Sequence, residues 1–131
     1  MRQVVGAAIV ANGRVLAAQR GPGMSAAGVW EFPGGKLEPG ESESQALVRE
    51  LREELHLRIL PMRRLGAVER PERRLRLTVW ICRKEEGDPV LVEHAAVRWV
   101  GPEELEELGW AEPDRPFLTE LRAVLLDPEA Q

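Results

Sequence analysis

Residues 34–57, GGKLEPGESESQALVRELREELHL, decide the fold of this chain. Turn residues 38–40 come first, and Ser42 or Ser44 can cap a helix that continues to about Leu57. At roughly 100° per residue, the apolar side chains of that helix fall within an arc of about 100°. Three glutamates, Glu50, Glu53 and Glu54, fall within a neighbouring arc. The segment therefore predicts a helix that packs along one face and concentrates carboxylates on the next.

Three carboxylates on one helix face need an explanation. Like charges three or four residues apart destabilise a helix by a few tenths of a kcal/mol per pair. A divalent cation would relieve that repulsion, and hard oxygen ligands suit Mg²⁺ or Mn²⁺. The alternative is a solvated acidic face that Arg49 and Arg52 partly offset. Gly34 and Gly35, at the exit of a short extended segment, allow backbone to approach a ligand closely.

The segments on either side of this helix predict an α/β sandwich around a mixed sheet. Apolar or alternating runs predict strands at residues 3–10, 14–18, 63–69, 75–83 and 97–100, with a short extended piece at 30–32. Asn12-Gly13 indicates a hairpin between the first two strands. Helices are predicted at 103–108 and 115–126. No repeat or linker interrupts the chain, so we expect one domain over residues 1–131.

Composition narrows the possible partners. The 131 residues carry a net charge of −4, which argues against binding a nucleic acid polymer through its phosphates. No apolar run has transmembrane length, so no membrane partner is expected. The single cysteine, Cys82, excludes an intramolecular disulfide and suits a reducing, cytoplasmic location. The sequence is compatible with a monomer or a homodimer.

The spacing of these residues resembles the Nudix box, the signature of the Nudix hydrolase family. The matching positions are Gly35, Glu41, Arg49-Glu50, Leu51, Glu53-Glu54 and Leu57. His56 departs from the pattern, since the family has Gly there to ease a left-handed turn at the helix end. Residues 30–36, WEFPGGK, extend the likeness to the MutT-like branch, as do residues 18–20, 93–96 and 110–116. The resemblance implies an α/β/α sandwich.

The resemblance also implies metal ligands and a reaction. Glu50, Glu54 and the Gly34 carbonyl would hold Mg²⁺, for which Mn²⁺ can substitute. Glu53 would bind a second metal or deprotonate water, and Glu93 would contact metal or water. Structural roles in the box would fall to Gly35 and to Arg49 paired with Glu41. Attack at the β-phosphorus of a nucleoside triphosphate would give a nucleoside monophosphate and pyrophosphate.

The same resemblance suggests a nucleotide pocket. Arg20 would bind phosphate and Arg73 sugar or base, although a solvated turn also explains Arg73. The pocket lining would include Phe32, Trp110 and Ala7 or Ala8. Asp114 would read the base edge or, alternatively, cap the last helix.

The implied substrates are CTP or dCTP, their 5-methyl forms, and 8-oxo-dGTP. Two alternatives remain: a family member acting on a nucleoside diphosphate sugar or dinucleoside polyphosphate, and a silent nucleotide-binding domain. The four box glutamates favour catalysis over the silent domain.

Overall fold

The computed structural model describes residues 1–131 and contains one seven-stranded mixed sheet. The central path runs β3-β2-β1-β6-β5, while β4 pairs with β1 and β7 pairs with β2. Only β1 and β6 run parallel, and every other strand pairing is antiparallel. The strands are β1 Arg2–Ala11, β2 Arg14–Gln19, β3 Trp30–Glu31, β4 Gly34–Lys36, β5 Arg58–Arg70, β6 Leu75–Glu86 and β7 Ala96–Val100.

Both faces of β1 are buried, which gives the molecule three layers. Val5, Ala7 and Ile9 belong to an apolar cluster with helix α1, Glu43–Leu55. Ala8 and Val10 join a second cluster with helix α2, Leu118–Leu126. This alternation follows from the period of two along a strand. The predicted α/β/α sandwich around a mixed sheet is confirmed.

Helix α1 begins and ends with defined caps. Ser42 accepts a hydrogen bond from the Gln45 backbone N–H, and the Gln45 side chain accepts one from the Ser42 N–H. His56 ends the helix in the left-handed region, with φ of 54°. The helix therefore stops two residues before the predicted Leu57, and His56 adopts the turn for which glycine is usual. Neither α1 nor α2, nor any shorter helix, could cross a membrane.

Four other elements differ from the sequence prediction. Gly34 and Gly35, expected at the end of an extended segment, form strand β4. Strand β5 begins at Arg58, before the predicted residue 63, because β-bulges accommodate Pro61. Residues 103–108 contain only a 3-10 turn, Leu105–Glu107. The last predicted helix is divided into a 3-10 segment, Glu112–Phe117, followed by α2. Prolines within that segment lack the N–H donors that an α-helix requires.

Candidate functional site

Three of the four glutamates of α1 face one cavity. Glu50, Glu53 and Glu54 line it together with Glu93, which lies 39 to 43 residues further along the chain. Its volume is about 240 Å³, and Met24, Val92 and His94 complete the wall. The structure thus brings together all four carboxylates that the sequence singled out for catalysis. We call this space the carboxylate cavity.

Arg49 fixes the orientation of the α1 carboxylates. Its guanidinium donates to both Glu41 oxygens, at 2.6 and 2.9 Å, and to Glu50 at 2.9 Å. It also donates to the Lys36 carbonyl at 3.0 Å, which ties the helix to β4. The hydrogen bonds from Arg49 and from the Glu38 backbone N–H lower the pKa of Glu41 to about 2. Arg49 and Glu41 therefore remain paired ions throughout the neutral range, as the motif implied.

Two glycines leave the space that this arrangement needs. A Cβ on Gly34 would lie 1.9 Å from the Val5 carbonyl oxygen, so only glycine permits the close pairing of β4 with β1. A Cβ on Gly35 would lie 2.4 Å from the carboxyl carbon of Glu50. Gly35 therefore keeps open the position that the Glu50 carboxylate occupies.

Glu54 has the chemistry of a cation ligand. Its Oε2 atom is buried and has no hydrogen-bond partner. Burial, and then the neighbouring charges of Glu50 and Glu31, raise the pKa of Glu54 to about 8. A cation at this position would satisfy the buried oxygen and offset the charge repulsion.

Fewer than three histidine, cysteine or acidic side chains converge closely enough to form a complete metal site alone. A bound cation would therefore need further oxygen ligands from backbone, water or a substrate. Mg²⁺ commonly takes its ligands in this way, keeping several waters and binding substrate phosphates beside one or two carboxylates. The residues present thus fit a magnesium ion.

A second cavity has a volume of about 310 Å³. Its lining includes the four predicted substrate-binding residues, Arg20, Phe32, Arg73 and Asp114. Glu54 lines this cavity as well as the carboxylate cavity, and it is the one residue that the two linings share. The volume lies at the lower end of the range for small-molecule pockets. We call this space the base cavity.

Two predictions about the lining of the base cavity are wrong. Ala7 and Ala8 are fully buried in the two core clusters, and Val4 and Val5 line the cavity instead. Trp110 is 1% exposed and lies outside the lining, because its indole N–H donates inward to the Leu105 carbonyl at 2.6 Å.

Trp110 nevertheless supports the cavity wall from behind. Its ring packs against Phe32 with a centroid separation of 4.9 Å. Phe32 also makes an edge contact with Phe117, 6.4 Å between centroids. The Phe32 ring is therefore held between two aromatic neighbours.

Asp114 is buried and points toward Phe32. Its Oδ2 atom accepts the Phe32 backbone N–H at 3.2 Å. The alternative role as a cap of the last helix is wrong, because α2 begins after Phe117 and has no side-chain cap. Burial, followed by the charge of Glu31, raises the pKa of Asp114 to about 8. At neutral pH the carboxyl group is mostly protonated, so it can donate as well as accept a hydrogen bond.

Arg20 is held in place by its neighbours. It donates to Glu31 at 2.7 Å, to the Ser25 carbonyl and to the Ser25 hydroxyl. Because a guanidinium has five N–H groups, two remain for a ligand in the base cavity. The side chain is only 22% exposed, so its position is defined before any ligand binds.

Sequence reasoning missed Glu31 and His94. The His94 ring nitrogen Nε2 lies 2.9 Å from Glu31 Oε2, across 63 residues of sequence. Glu31 also influences both Glu54 and Asp114 through its charge. Arg2 and Lys36, which line the base cavity, were missed too. Lys36 stands inside the quoted motif, whereas no local signal distinguishes Arg2 from the other arginines.

Comparison with known proteins identifies the family. A NUDIX domain model matches residues 1–121. The chain is 40% identical over 126 residues to the CTP pyrophosphohydrolase of Escherichia coli, covering 95% of this chain and 93% of that protein. It is 37% identical to a putative 8-oxo-dGTP diphosphatase of Mycobacterium tuberculosis, covering 93% and 89%. The solution structure of the E. coli ORF135 protein superposes with a TM-score of 0.80 at 37% identity, covering 95% and 90%. The chain belongs to the Nudix hydrolase family.

Proposed function

We propose that this protein is a Mg²⁺-dependent nucleoside triphosphate pyrophosphohydrolase. The observation that carries the proposal is that Glu54 lines both cavities. One cavity gathers carboxylates suited to metal and polyphosphate, and the other offers an aromatic ring and a hydrogen-bonding carboxyl group suited to a base. The names of the relatives support a triphosphate substrate with cytosine or oxidised guanine as base.

The carboxylates would have different roles in hydrolysis. Glu50, Glu54 and the Gly34 carbonyl would hold Mg²⁺, with Glu93 as a further contact to metal or water. When bound, the ion supplies positive charge that polarises a phosphoryl oxygen and lowers the pKa of water. Glu53 is 60% exposed, and one of its oxygens accepts a hydrogen bond from Arg49 at 3.3 Å. The other oxygen would bind a second ion or accept the proton of water.

The bonds that change are those at the β-phosphorus. The water oxygen forms a bond to this phosphorus, and the bond to the oxygen that bridges the α- and β-phosphates breaks. The bridging oxygen leaves on the nucleoside monophosphate, and the water oxygen remains on pyrophosphate. Arg20, with two free N–H groups in a fixed position, would bind phosphate oxygens during this step.

Base selection would depend on Phe32 and Asp114. Phe32 lines the base cavity but is only 4% exposed, so it would form part of the apolar wall beside the base and not an open stacking surface. The protonated carboxyl of Asp114 presents a donor beside an acceptor, whereas its ionised form only accepts. A donor–acceptor pair complements the N3 atom and amino group of cytosine, and also the O6 and ring N–H of an oxidised guanine. Both bases, and 5-methylcytosine, therefore fit the proposal, while Arg73 at the cavity edge would contact sugar or base.

A nucleotide panel tests the proposal. Purified protein with Mg²⁺ would be incubated with CTP, dCTP, 5-methyl-dCTP and 8-oxo-dGTP, together with a nucleoside diphosphate sugar and a dinucleoside polyphosphate. We expect at least one triphosphate to yield the monophosphate and pyrophosphate in equal amounts. Survival of every triphosphate would refute the proposal, and cleavage of only the other compounds would assign a different Nudix activity.

Substitution of Glu53 tests its proposed role within the same assay. Glu53→Gln should lower kcat by about 100-fold, within the range typical of removing a general base. Glu120→Gln is the matched control, since Glu120 is exposed on α2 on the opposite side of the sheet. Wild-type kcat in Glu53→Gln would exclude Glu53 from proton transfer.

A further inference from the structure

Glu93 lies on a segment without regular structure. Residues 87–95 form neither helix nor strand, yet Glu93 must lie beside the α1 carboxylates to line the same cavity. Val90 donates to the Leu55 carbonyl at 2.9 Å, which attaches the beginning of the segment to the end of α1. Ala95 donates to the Gln19 carbonyl at 2.9 Å, which attaches the other end to β2.

His94 is the only buried residue of this segment. Its side chain is 1% exposed, whereas every other residue from 87 to 95 except the half-buried Pro89 is exposed. None of the apolar residues of the segment is fully buried, since Val90, Leu91 and Val92 are each about half exposed. His94 is the only buried side chain between the two backbone attachments.

Glu31 is a rigid anchor for that ring. It belongs to β3 and pairs with Ala18 of β2, so its backbone position is fixed by the sheet. One carboxylate oxygen accepts Arg20 at 2.7 Å, and the other is 2.9 Å from His94 Nε2. Each oxygen thus has a partner, and the imidazole of His94 meets a carboxylate that is already oriented.

The backbone of Glu93 fits closely against Gly21. A Cβ on Gly21 would lie 1.9 Å from the Glu93 carbonyl oxygen. This contact, the His94 ring and the Ala95 hydrogen bond restrain the segment at Glu93 and at the two residues that follow it. A shift of the ring away from Glu31 would move the Glu93 carboxylate relative to Glu50 and Glu54.

We propose that His94 and Glu31 are positioning residues that hold Glu93 at the carboxylate cavity. The inference rests on the proposed function for its kinetic consequence. Misplacement of a reacting or coordinating group by about 1 Å can cost on the order of 100-fold in rate. Loss of a supporting partner typically costs about 10- to 100-fold.

A double-mutant cycle tests the kinetic part. His94→Leu should lower kcat by about 10- to 100-fold with little change in the nucleotide KM. His94→Gln should restore most of kcat, because its amide donor can replace Nε2. In a Glu93→Ala background, His94→Leu should cost less than about 2-fold, since contacts that act on the same group are not additive. His56→Asn, at the exposed second histidine, is the control and should leave kcat unchanged.

Amide hydrogen exchange tests the positioning without metal or nucleotide. The Ala95 amide should exchange at least about 10-fold faster in His94→Leu, and β7 amides should keep wild-type rates, because local opening leaves the strand intact. His94→Asn serves as a second variant, since its side chain is polar but too short to reach Glu31.

The outcomes separate the two proposals. An unchanged Ala95 exchange rate in both His94 variants would overturn the positioning role, whether or not the protein hydrolyses nucleotides. Equal losses from His94→Leu in the presence and absence of Glu93 would also overturn it while leaving the proposed function standing. A wild-type protein that cleaves no nucleoside triphosphate would refute the proposed function before any variant is compared.

Discussion

Replacement of Asp114 by asparagine should change how stability depends on pH. Burial raises the pKa of Asp114 from 3.8 to about 8, so the folded protein keeps a proton that the unfolded chain releases. Between those values the wild type loses stability as pH rises, by about 1.4 kcal/mol per pH unit for one proton. The asparagine side chain does not titrate, and its amide oxygen can still accept the Phe32 N–H.

The expected magnitude follows from this slope. From pH 5 to pH 7 the unfolding free energy of Asp114→Asn should rise relative to wild type by up to about 3 kcal/mol. Above about pH 8 the difference should level off, because Asp114 then ionises in the folded protein as well. Any constant cost of the amide itself shifts the whole curve and leaves its pH dependence unchanged.

Urea denaturation at pH 5, 6, 7 and 8, with metal removed by chelation, measures the difference. The titration of Glu54 and of all other shared groups cancels when the unfolding free energies of the two proteins are subtracted at each pH. Asp88→Asn is the matched control, because the Asp88 side chain is fully exposed. A difference that stays constant within about 0.5 kcal/mol, the usual effect of a surface substitution, would refute the buried, protonated state of Asp114.

Two glycines and one glutamate give further tests. Gly35→Ala should lower kcat by about 100-fold and preserve the fold, since its Cβ would displace only the Glu50 carboxylate. By contrast, Gly34→Ala should destabilise the protein by several kcal/mol in urea, because its Cβ would meet the backbone of Val5. Glu54→Gln should abolish most activity and weaken Mn²⁺ binding, measured calorimetrically, by at least about 10-fold. Tight Mn²⁺ binding by Glu54→Gln would contradict the metal assignment. Without metal, Glu54→Gln should be at least as stable as wild type at pH 7, because a buried acid of raised pKa has been removed.

The sequence predicted the layered fold and the carboxylate face because both depend on local periodicity. The spacing of Leu47, Leu51 and Leu55 defines the buried face of α1, and the glutamates follow at fixed angles from it. The predicted end of α1 was two residues too late, because Leu57 fits the apolar pattern of the helix although it lies beyond the last helical residue, Leu55. Only the backbone conformation of His56 sets that boundary.

Features that depend on contacts between distant residues could not be predicted in the same way. Gly34 and Gly35 are typical turn residues, but pairing with β1 places them in a strand. Ala7 was assigned to the base pocket because it is small, whereas alternation along β1 places it under α1. Glu31 and His94 are 63 residues apart in sequence, and they come into contact only in the folded protein, where β3 lies beside residues 87–95.

Because Glu54 lines both cavities, the structure has a consequence for the length of the ligand. A ligand that spans both spaces must extend from the Phe32 ring past Glu54 to Glu53 and Glu93. A nucleoside monophosphate would fill only the first space and free pyrophosphate only the second, so each would forgo the contacts made by the other part. If the proposed function holds, the two cavities together would favour binding of the uncleaved molecule over its fragments. Cleavage between the two parts of the ligand would then promote release of the products.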